Sequence, residues 1–179
     1  EITQVNDLVT ENLNGQLLLT DAIDGLDDGA AVAALFRQVS ALSVFDPTCG
    51  SGAFLFAALE VLEDVYDHLI DEARSCHEDP AVHDLLRQVD AQPNKRYFIR
   101  KHIAIRNLYG TDLMPGAIET AKLRVFLALA ACVESRAELQ PLPDLDFNLK
   151  AGNLVVGFKD SDDVGRIGAD RPTSSESLN

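Results

Sequence analysis

Residues 46–54 read DPTCGSGAF and combine an acid, a proline and two glycines in one short segment. Pro47 disfavours a helical conformation for Asp46 and holds it extended. Gly50 and Gly52 have no Cβ, so the backbone can turn sharply there and a ligand can approach it closely. Such a segment can place a fixed carboxylate next to exposed backbone amides.

The residues on either side predict where this segment lies in a fold. A short apolar run precedes it, formed by Leu42, Val44 and Phe45, and a long helical pattern follows it. We therefore expect a strand-to-helix turn, the position at which α/β folds bind cofactors. The amides of the helix terminus favour a negative group, and Asp46 favours a positive one. A ligand with both an ammonium and a carboxylate, such as the methionine end of S-adenosylmethionine, suits this pair.

Two other ligand classes fit the segment less well. A dinucleotide-binding turn needs a third glycine and an acid about 20 residues further on. Phe54 and Leu55 occupy the place of that glycine, and Asp112, the next acid at an expected strand end, lies much further along. A phosphate-binding loop needs Gly-Lys-Ser/Thr, which the 179 residues do not contain. A glycine turn without a ligand remains the structural alternative.

Composition predicts one globular domain with a substantial core, since 46% of the 179 residues are apolar and 25% are charged. No apolar run approaches the roughly 20 residues of a membrane helix, and we expect no membrane partner. The start has no signal-peptide pattern, and Glu1 suggests a trimmed or excised segment. Three cysteines, an odd number, indicate a reduced, cytoplasmic setting. Cys76 and His77 with His83 fit no zinc spacing, so we assign no metal site.

The charge distribution bears on nucleic-acid binding. With 15 basic and 29 acidic residues the net charge is −14, which argues against this chain being the main contact with a polyanion. One stretch departs from that balance, because five basic residues and no acid stand between Pro93 and Arg106: Lys95, Arg96, Arg100, Lys101 and Arg106. We expect a solvated helix face, with phosphate contact as the alternative.

The hydrophobic pattern predicts an α/β fold. We expect helices in residues 1–40 around a Gly/Asp-rich turn, a core at 41–158 and a flexible tail at 159–179. Strands are predicted at about 42–45, at 108–113 and within 147–156. Helices are predicted from the glycine turn to about 74, at 97–107, and from Pro115 to about 133. Residues 75–96 are polar, contain two prolines and permit one short helix, so we interpret them as an insertion.

Two further candidate groups follow the second and third strands. The carboxyl ends of adjacent parallel strands lie side by side, so Asp112 and Asn153 should lie near the glycine turn. Asp112 could accept both hydroxyls of a ribose, and Leu113 could present an apolar face to an adenine. The amide of Asn153 could pair with the adenine amino edge. Each also has an ordinary interpretation, Asp112 as a helix cap and Asn153 as a turn residue.

The sequence resembles a known family in four segments: VNDLVTENLN, FDPTCGSGAFLFAALEVLEDVY, NLYGTDLMPGAIETAKLRVFLAL and PLPDLDFNLKAGN. They are similar to amino-terminal parts of adenine-specific DNA methyltransferases, notably large type II restriction–modification enzymes and phage-exclusion methyltransferases. The resemblance spans roughly residues 4–158. It implies a Rossmann-like fold that binds S-adenosylmethionine, and methyl transfer to adenine N6 of DNA.

The resemblance also implies residue roles. The glycine turn holds the methionine part of the cofactor, Asp112 the ribose, and Asn153 faces the adenine. The predicted cofactor-binding set is therefore Asp46, Thr48, Cys49, Gly50, Gly52, Asp112, Leu113 and Asn153.

The chain departs from the family pattern in two ways. Leu154 stands where the family usually has Ser or Thr, and the catalytic Asn/Asp-Pro-Pro-Tyr/Phe motif is absent from the 179 residues. We therefore expect a piece of a longer enzyme that has no catalytic residue of its own, does not methylate DNA alone, and contacts DNA mostly through other regions. A methyltransferase for a small molecule or protein, and a non-catalytic nucleotide-binding or scaffolding domain, are the alternatives.

Overall fold

A computed structural model describes residues 19–135, 141 and 143–154. This part of the chain is mixed α/β, with six helices and three strands, so the α/β class is confirmed. The elements in chain order are α1 (Leu19–Ile23), α2 (Gly29–Ser40), β1 (Val44–Asp46), α3 (Ala53–Ser75), α4 (Pro80–Asp90), α5 (Lys95–Arg106), β2 (Leu108–Asp112), α6 (Pro115–Ala130) and β3 (Leu149–Ala151). The helix predicted before residue 19 and the tail predicted at 159–179 lie outside the described residues.

The three strands form one parallel sheet in the order β1-β2-β3. Asp46 at the end of β1 pairs with Gly110, and Asp112 at the end of β2 pairs with Ala151. The carboxyl ends of all three strands therefore meet at one edge, where the sequence placed its candidate groups.

The helix starts follow from local capping. Asp28 accepts a hydrogen bond from the Ala30 amide at 3.0 Å, and Asp79 accepts one from the Ala81 amide at 2.8 Å. Asn94 accepts one from the Tyr97 amide at 2.8 Å and so begins α5. These short polar side chains satisfy amides that have no partner within the helix. Helix α3 differs, since the residue before it is Gly52, which has no side chain to cap it.

The core lies between the helices and one face of the sheet. Its largest fully buried side chains are Tyr66, Tyr97, Ile23, Leu69, Ile70, Ile99, Ile103 and Ile118. Leu108 and Leu149 on the sheet point into this core, whereas Phe45 on β1 is 49% exposed. Within the described residues, the helices thus cover one face of the sheet.

The segment interpreted as an insertion is part of this core. It forms α4, and Val82, Leu85 and Val89 on its inner face are buried.

Strand β1 begins two residues later than expected, because the amide of Leu42 still bonds to the carbonyl of Val39 at the end of α2. None of the helices in the described ranges has the length and apolar character that crossing a membrane would require.

Candidate functional site

The glycine turn lies between β1 and α3, and its backbone requires glycine at two positions. Gly50 and Gly52 have φ values of 52° and 83°, in the left-handed region that L side chains rarely adopt. A Cβ at Gly50 would have no atom within 4 Å, so the space above Gly50 is open. A Cβ at Gly52 would lie 3.4 Å from the Cβ of Ala121 on α6. Conformation is therefore the constraint at Gly50, and helix packing adds to it at Gly52.

Asp46 shapes the start of the turn. Its Oδ1 accepts a hydrogen bond from the Thr48 amide at 3.0 Å, a local contact that bends the chain after β1. A carboxylate oxygen can accept more than one hydrogen bond, so Asp46 retains acceptor positions at the sheet edge. It can therefore hold the turn and receive a cationic group of a ligand at the same time.

Cys49 connects the glycine turn to the neighbouring strand β2. Its amide donates to the carbonyl of Thr111 on β2 at 2.9 Å, and its side chain is buried. A Cβ at Gly110 would lie 2.9 Å from the Cys49 Sγ, so the thiol packs directly over that strand position. Burial raises the pKa of the Cys49 thiol, and the charges of Asp46 and Asp112 raise it further. The raised pKa keeps the thiol protonated at neutral pH, and its role in the fold is to pack the turn against β2.

Asp112 joins the second strand end to the glycine turn. Its Oδ2 accepts from the Gly50 amide at 2.8 Å, across 62 residues, and its Oδ1 accepts from the Met114 amide at 2.9 Å. The amides of Met114 and Gly50 lower the pKa of the Asp112 carboxyl. The side chain is therefore an ionised acceptor at neutral pH, and each oxygen retains a position for a further donor.

The remaining predicted residues lie at the same edge. Leu113 directly after β2 is 71% exposed, and Asn153 after β3 is exposed. The amide of Gly152 donates to the carbonyl of Asp112 at 2.9 Å, which holds the end of β3 against the end of β2. The structure thus brings together the three strand ends at which the eight predicted residues stand. Their contacts with a cofactor stay a prediction.

Two residues of this region were missed in the sequence. Gly110 in the middle of β2 leaves room for Cys49 and Leu55, and a glycine inside a strand pattern is a known signal of close approach. Arg124 on α6 reaches the glycine turn, where its Nη1 donates to the carbonyl of Ser51 at 2.9 Å. No local sequence pattern indicates that contact.

The basic stretch is not a simple solvated face. Arg96 and Arg100 both bind Glu63 on α3, at 2.7 and 2.9 Å, and Lys95 binds Asp67 and Asp71 at 2.8 Å each. The Arg100 side chain is only 16% exposed, so it lies between helices. These ion pairs involve three of the five basic residues, Lys95, Arg96 and Arg100, and weaken the alternative of a phosphate contact for them.

The described part of the chain contains no group of three His, Cys, Asp or Glu side chains arranged to hold a metal ion. His83 Nε2 lies 3.0 Å from the carbonyl of His77, a contact with the backbone of the loop before α4.

The three parallel strands place a glycine turn, an acid and an asparagine at successive carboxyl ends, the edge at which α/β folds bind ligands. The comparisons with known proteins then identify the family. Residues 23–155 match the model of the MmeI DNA-methyltransferase domain, and the chain belongs to this family. The resemblance to the methyltransferases of restriction–modification enzymes is thereby confirmed.

One curated relative is the "Putative type II restriction enzyme and methyltransferase" of Methanocaldococcus jannaschii. It is 31% identical over 132 residues, which cover 71% of this chain and 10% of the relative. The chain thus spans a small part of that relative's length. No solved structure matches the chain, and the Rossmann-like assignment stays a prediction.

Proposed function

We propose that this domain binds S-adenosylmethionine and belongs to a DNA adenine-N6 methyltransferase of a restriction–modification or phage-defence system. The observation that supports this most strongly is the position of Asp112. It touches the glycine turn and the start of the next loop at once, through Gly50 and Met114. A ligand at this edge would therefore meet the acid and the turn together. The family assignment supports a methyl donor and DNA as the substrate class.

The residues present fit the two ends of this cofactor. The methionine end has a carboxylate, which suits the start of α3, and an ammonium, which suits Asp46. The ribose hydroxyls are donors that suit the remaining acceptor positions of Asp112. Leu113 presents an exposed apolar surface for the adenine ring, and Asn153 presents an amide for its edge. Each part of the ligand then has a partner of matching chemistry.

S-adenosylmethionine supplies an electrophilic methyl group when it is bound. The residues of this chain would bind and orient it, so that the methyl group faces an adenine extruded from the duplex. The family motif that holds such an adenine is absent from the 179 residues, and we propose that other regions of the full enzyme provide it. The role of this domain in catalysis is positioning.

The cofactor assignment is tested by calorimetry with S-adenosylmethionine and with NAD. We expect S-adenosylmethionine to bind with a dissociation constant of about 1–100 μM and NAD to bind far more weakly. Asp112→Asn should weaken S-adenosylmethionine binding by roughly 10- to 100-fold, because a charged acceptor is lost. Asp146→Asn is the matched control, an exposed acid paired with Lys122 before β3. Binding of NAD with no response to S-adenosylmethionine would contradict the assignment.

The DNA substrate is tested with the full-length enzyme and labelled S-adenosylmethionine. Transfer to duplexes that contain unmethylated adenine, and loss of transfer when the adenines already have an N6-methyl group, is the expected result. Undiminished transfer to the premethylated duplexes would show that another atom is the acceptor.

A further inference from the structure

Arg124 makes two contacts with the glycine turn and the helix that follows it. Its Nη1 donates to the carbonyl of Ser51 at 2.9 Å, across 73 residues of sequence. Its guanidinium carbon lies 4.3 Å from the centre of the Phe56 ring, within the range of a cation–π contact. One side chain of α6 therefore binds both the turn and the first helical turn of α3.

The Ser51 carbonyl lies within the glycine-rich part of that turn. Ser51 stands between Gly50 and Gly52, the two residues with left-handed backbone conformations. A peptide unit is planar, so a hydrogen bond to the Ser51 carbonyl also fixes the direction of the Gly52 amide. The turn has one hydrogen bond of its own, from the Gly52 amide to the Cys49 carbonyl at 2.7 Å. Glycines sample many backbone conformations, so a contact from outside the turn adds to that bond in selecting one of them.

Asp112, at the end of the strand that precedes α6, also binds the glycine turn. Asp112 ends β2, α6 starts at Pro115, and the Asp112 carboxylate accepts from the Gly50 amide at 2.8 Å. Gly50 and Ser51, which are neighbours in sequence, are thus bound by Asp112 at the end of β2 and by Arg124 within α6, the helix that follows β2. Arg124 donates to a main-chain carbonyl, which has no net charge. The contact therefore depends on hydrogen-bond geometry more than on attraction between two ions.

We propose that Arg124 is a positioning residue that holds residues 50–52 in the conformation that receives the methionine end of the cofactor. This inference rests on the proposed function, since it assigns a role in the same site. Arg124 acts through the Ser51–Gly52 peptide and is not itself in contact with the reacting atoms. The adenosine end, which Asp112 and Leu113 would hold, does not depend on this contact.

The test separates the two ends of the ligand. S-adenosylhomocysteine has the amino-acid end, whereas 5′-methylthioadenosine lacks it. Arg124→Met should weaken S-adenosylhomocysteine binding about tenfold, the scale of one hydrogen bond to the turn, and leave 5′-methylthioadenosine binding unchanged. Arg124→Lys retains a cation and a donor and should recover part of the loss. Lys122→Met, which removes another cation of α6, should alter neither affinity.

The outcomes distinguish the two proposals. If the wild-type protein binds neither compound, the proposed function is wrong, and the role of Arg124 is wrong with it. If the wild-type protein binds both, and Arg124→Met weakens both equally or neither, only the positioning role is wrong. Hydrogen exchange provides a second readout, since the amides of residues 50–52 should exchange faster in Arg124→Met and as in wild type in Lys122→Met.

Discussion

At the amino ends of β2 and β3 two asparagines are buried, whereas Asp112 and Asn153 at the carboxyl ends of the same strands are accessible to solvent. Asn107 directly precedes β2, and Asn148 directly precedes β3. The two edges of one small sheet thus contain similar side chains in opposite environments. The difference in environment predicts a difference in role.

At the buried amino edge, the polar side chains form hydrogen bonds with neighbouring groups of the protein. Asn107 donates to the carbonyls of Val39 at 2.8 Å and Leu42 at 2.9 Å, and it accepts from the Tyr66 hydroxyl at 3.0 Å. These contacts bind the end of α2 and the approach to β1 to the start of β2. Among the described residues, no buried side-chain nitrogen or oxygen lacks a hydrogen-bond partner. A network of this kind supports the fold, and because Asn107 is fully buried it is closed to a ligand.

Asn148 repeats the arrangement one strand further on. Its amide donates to the carbonyls of Ile105 at 3.0 Å and Leu108 at 2.9 Å, so it binds the end of α5 and the start of β2. At the opposite edge, Asp46 bonds to an amide of its own turn, and Asp112 bonds both to the amide of Met114 just after it and to the amide of Gly50 in the glycine turn. Those carboxylates therefore shape the site and still retain acceptor positions. The amino edge therefore contributes to stability, and the carboxyl edge is the one to which we assign the proposed ligand binding.

Replacing Asn107 is the strongest test of this division. Asn107→Ala removes three hydrogen bonds, two of them buried, and leaves two carbonyls and a hydroxyl without that partner. The free energy of unfolding should fall by about 3–4 kcal/mol in chemical denaturation. Asn153→Ala at the exposed edge is the matched control and should lower it much less, because the Asn153 side chain is exposed to solvent. Equal losses in the two variants would show that the edges do not differ as we infer.

The second test uses pH at the buried edge. Burial lowers the pKa of His102 to about 4, with a smaller effect from the positive Arg106, and the ring lies against Phe36 and Tyr66 with its Nε2 2.9 Å from Ser40 Oγ. Below its ordinary pKa of about 6.5 the unfolded chain binds a proton that the folded protein does not. Stability should therefore fall by about 2–3 kcal/mol between pH 6.5 and 4.

The control for that test is the exposed His68, whose pKa is raised by the backbone carbonyl of Asp64 and by the nearby charges of Asp24, Asp67 and Asp64. Its contribution has the opposite sign, present at low pH and lost as the pH rises through its folded-state pKa. The loss of stability between pH 6.5 and 4 should be smaller in His102→Gln than in the wild type, whereas His68→Gln should retain it. If the stability of His102→Gln depends on pH as that of the wild type does, protonation of His102 is not the cause of the loss of stability in acid.

The smallest effect concerns the exposed edge. Gly50→Ala forces an alanine to a φ of 52° without any steric contact, and should destabilise the protein by about 1 kcal/mol. Gly116→Ala, also without an atom near its new Cβ but within α6, should be neutral or stabilising by up to about 0.5 kcal/mol. The pair compares backbone strain with helix propensity in thermal unfolding. A stable Gly50→Ala variant would mean that the turn does not require its left-handed conformation.

The glycine turn and most of the elements were predictable because their signals are local. Asn94 and Asp79 cap the helices that follow them, and the helix predicted at 97–107 is observed at Lys95–Arg106. The core role of α4 was harder to predict. Val82, Leu85 and Val89 recur at helical spacing, which predicts a short helix, but only their packing shows that the helix belongs to the core.

The α/β pattern, the glycine turn and the identity of the groups at the three strand ends are encoded locally, since each depends on neighbours within a few residues. Which polar side chains are buried in hydrogen-bond networks and which are accessible to solvent depends on how the helices pack. The contacts of Asn107 with Tyr66, of Asp112 with Gly50 and of Arg124 with Ser51 join residues 41, 62 and 73 positions apart. Such pairs form only when helix packing brings distant backbone groups within hydrogen-bond distance, and no local pattern of side chains encodes that distance.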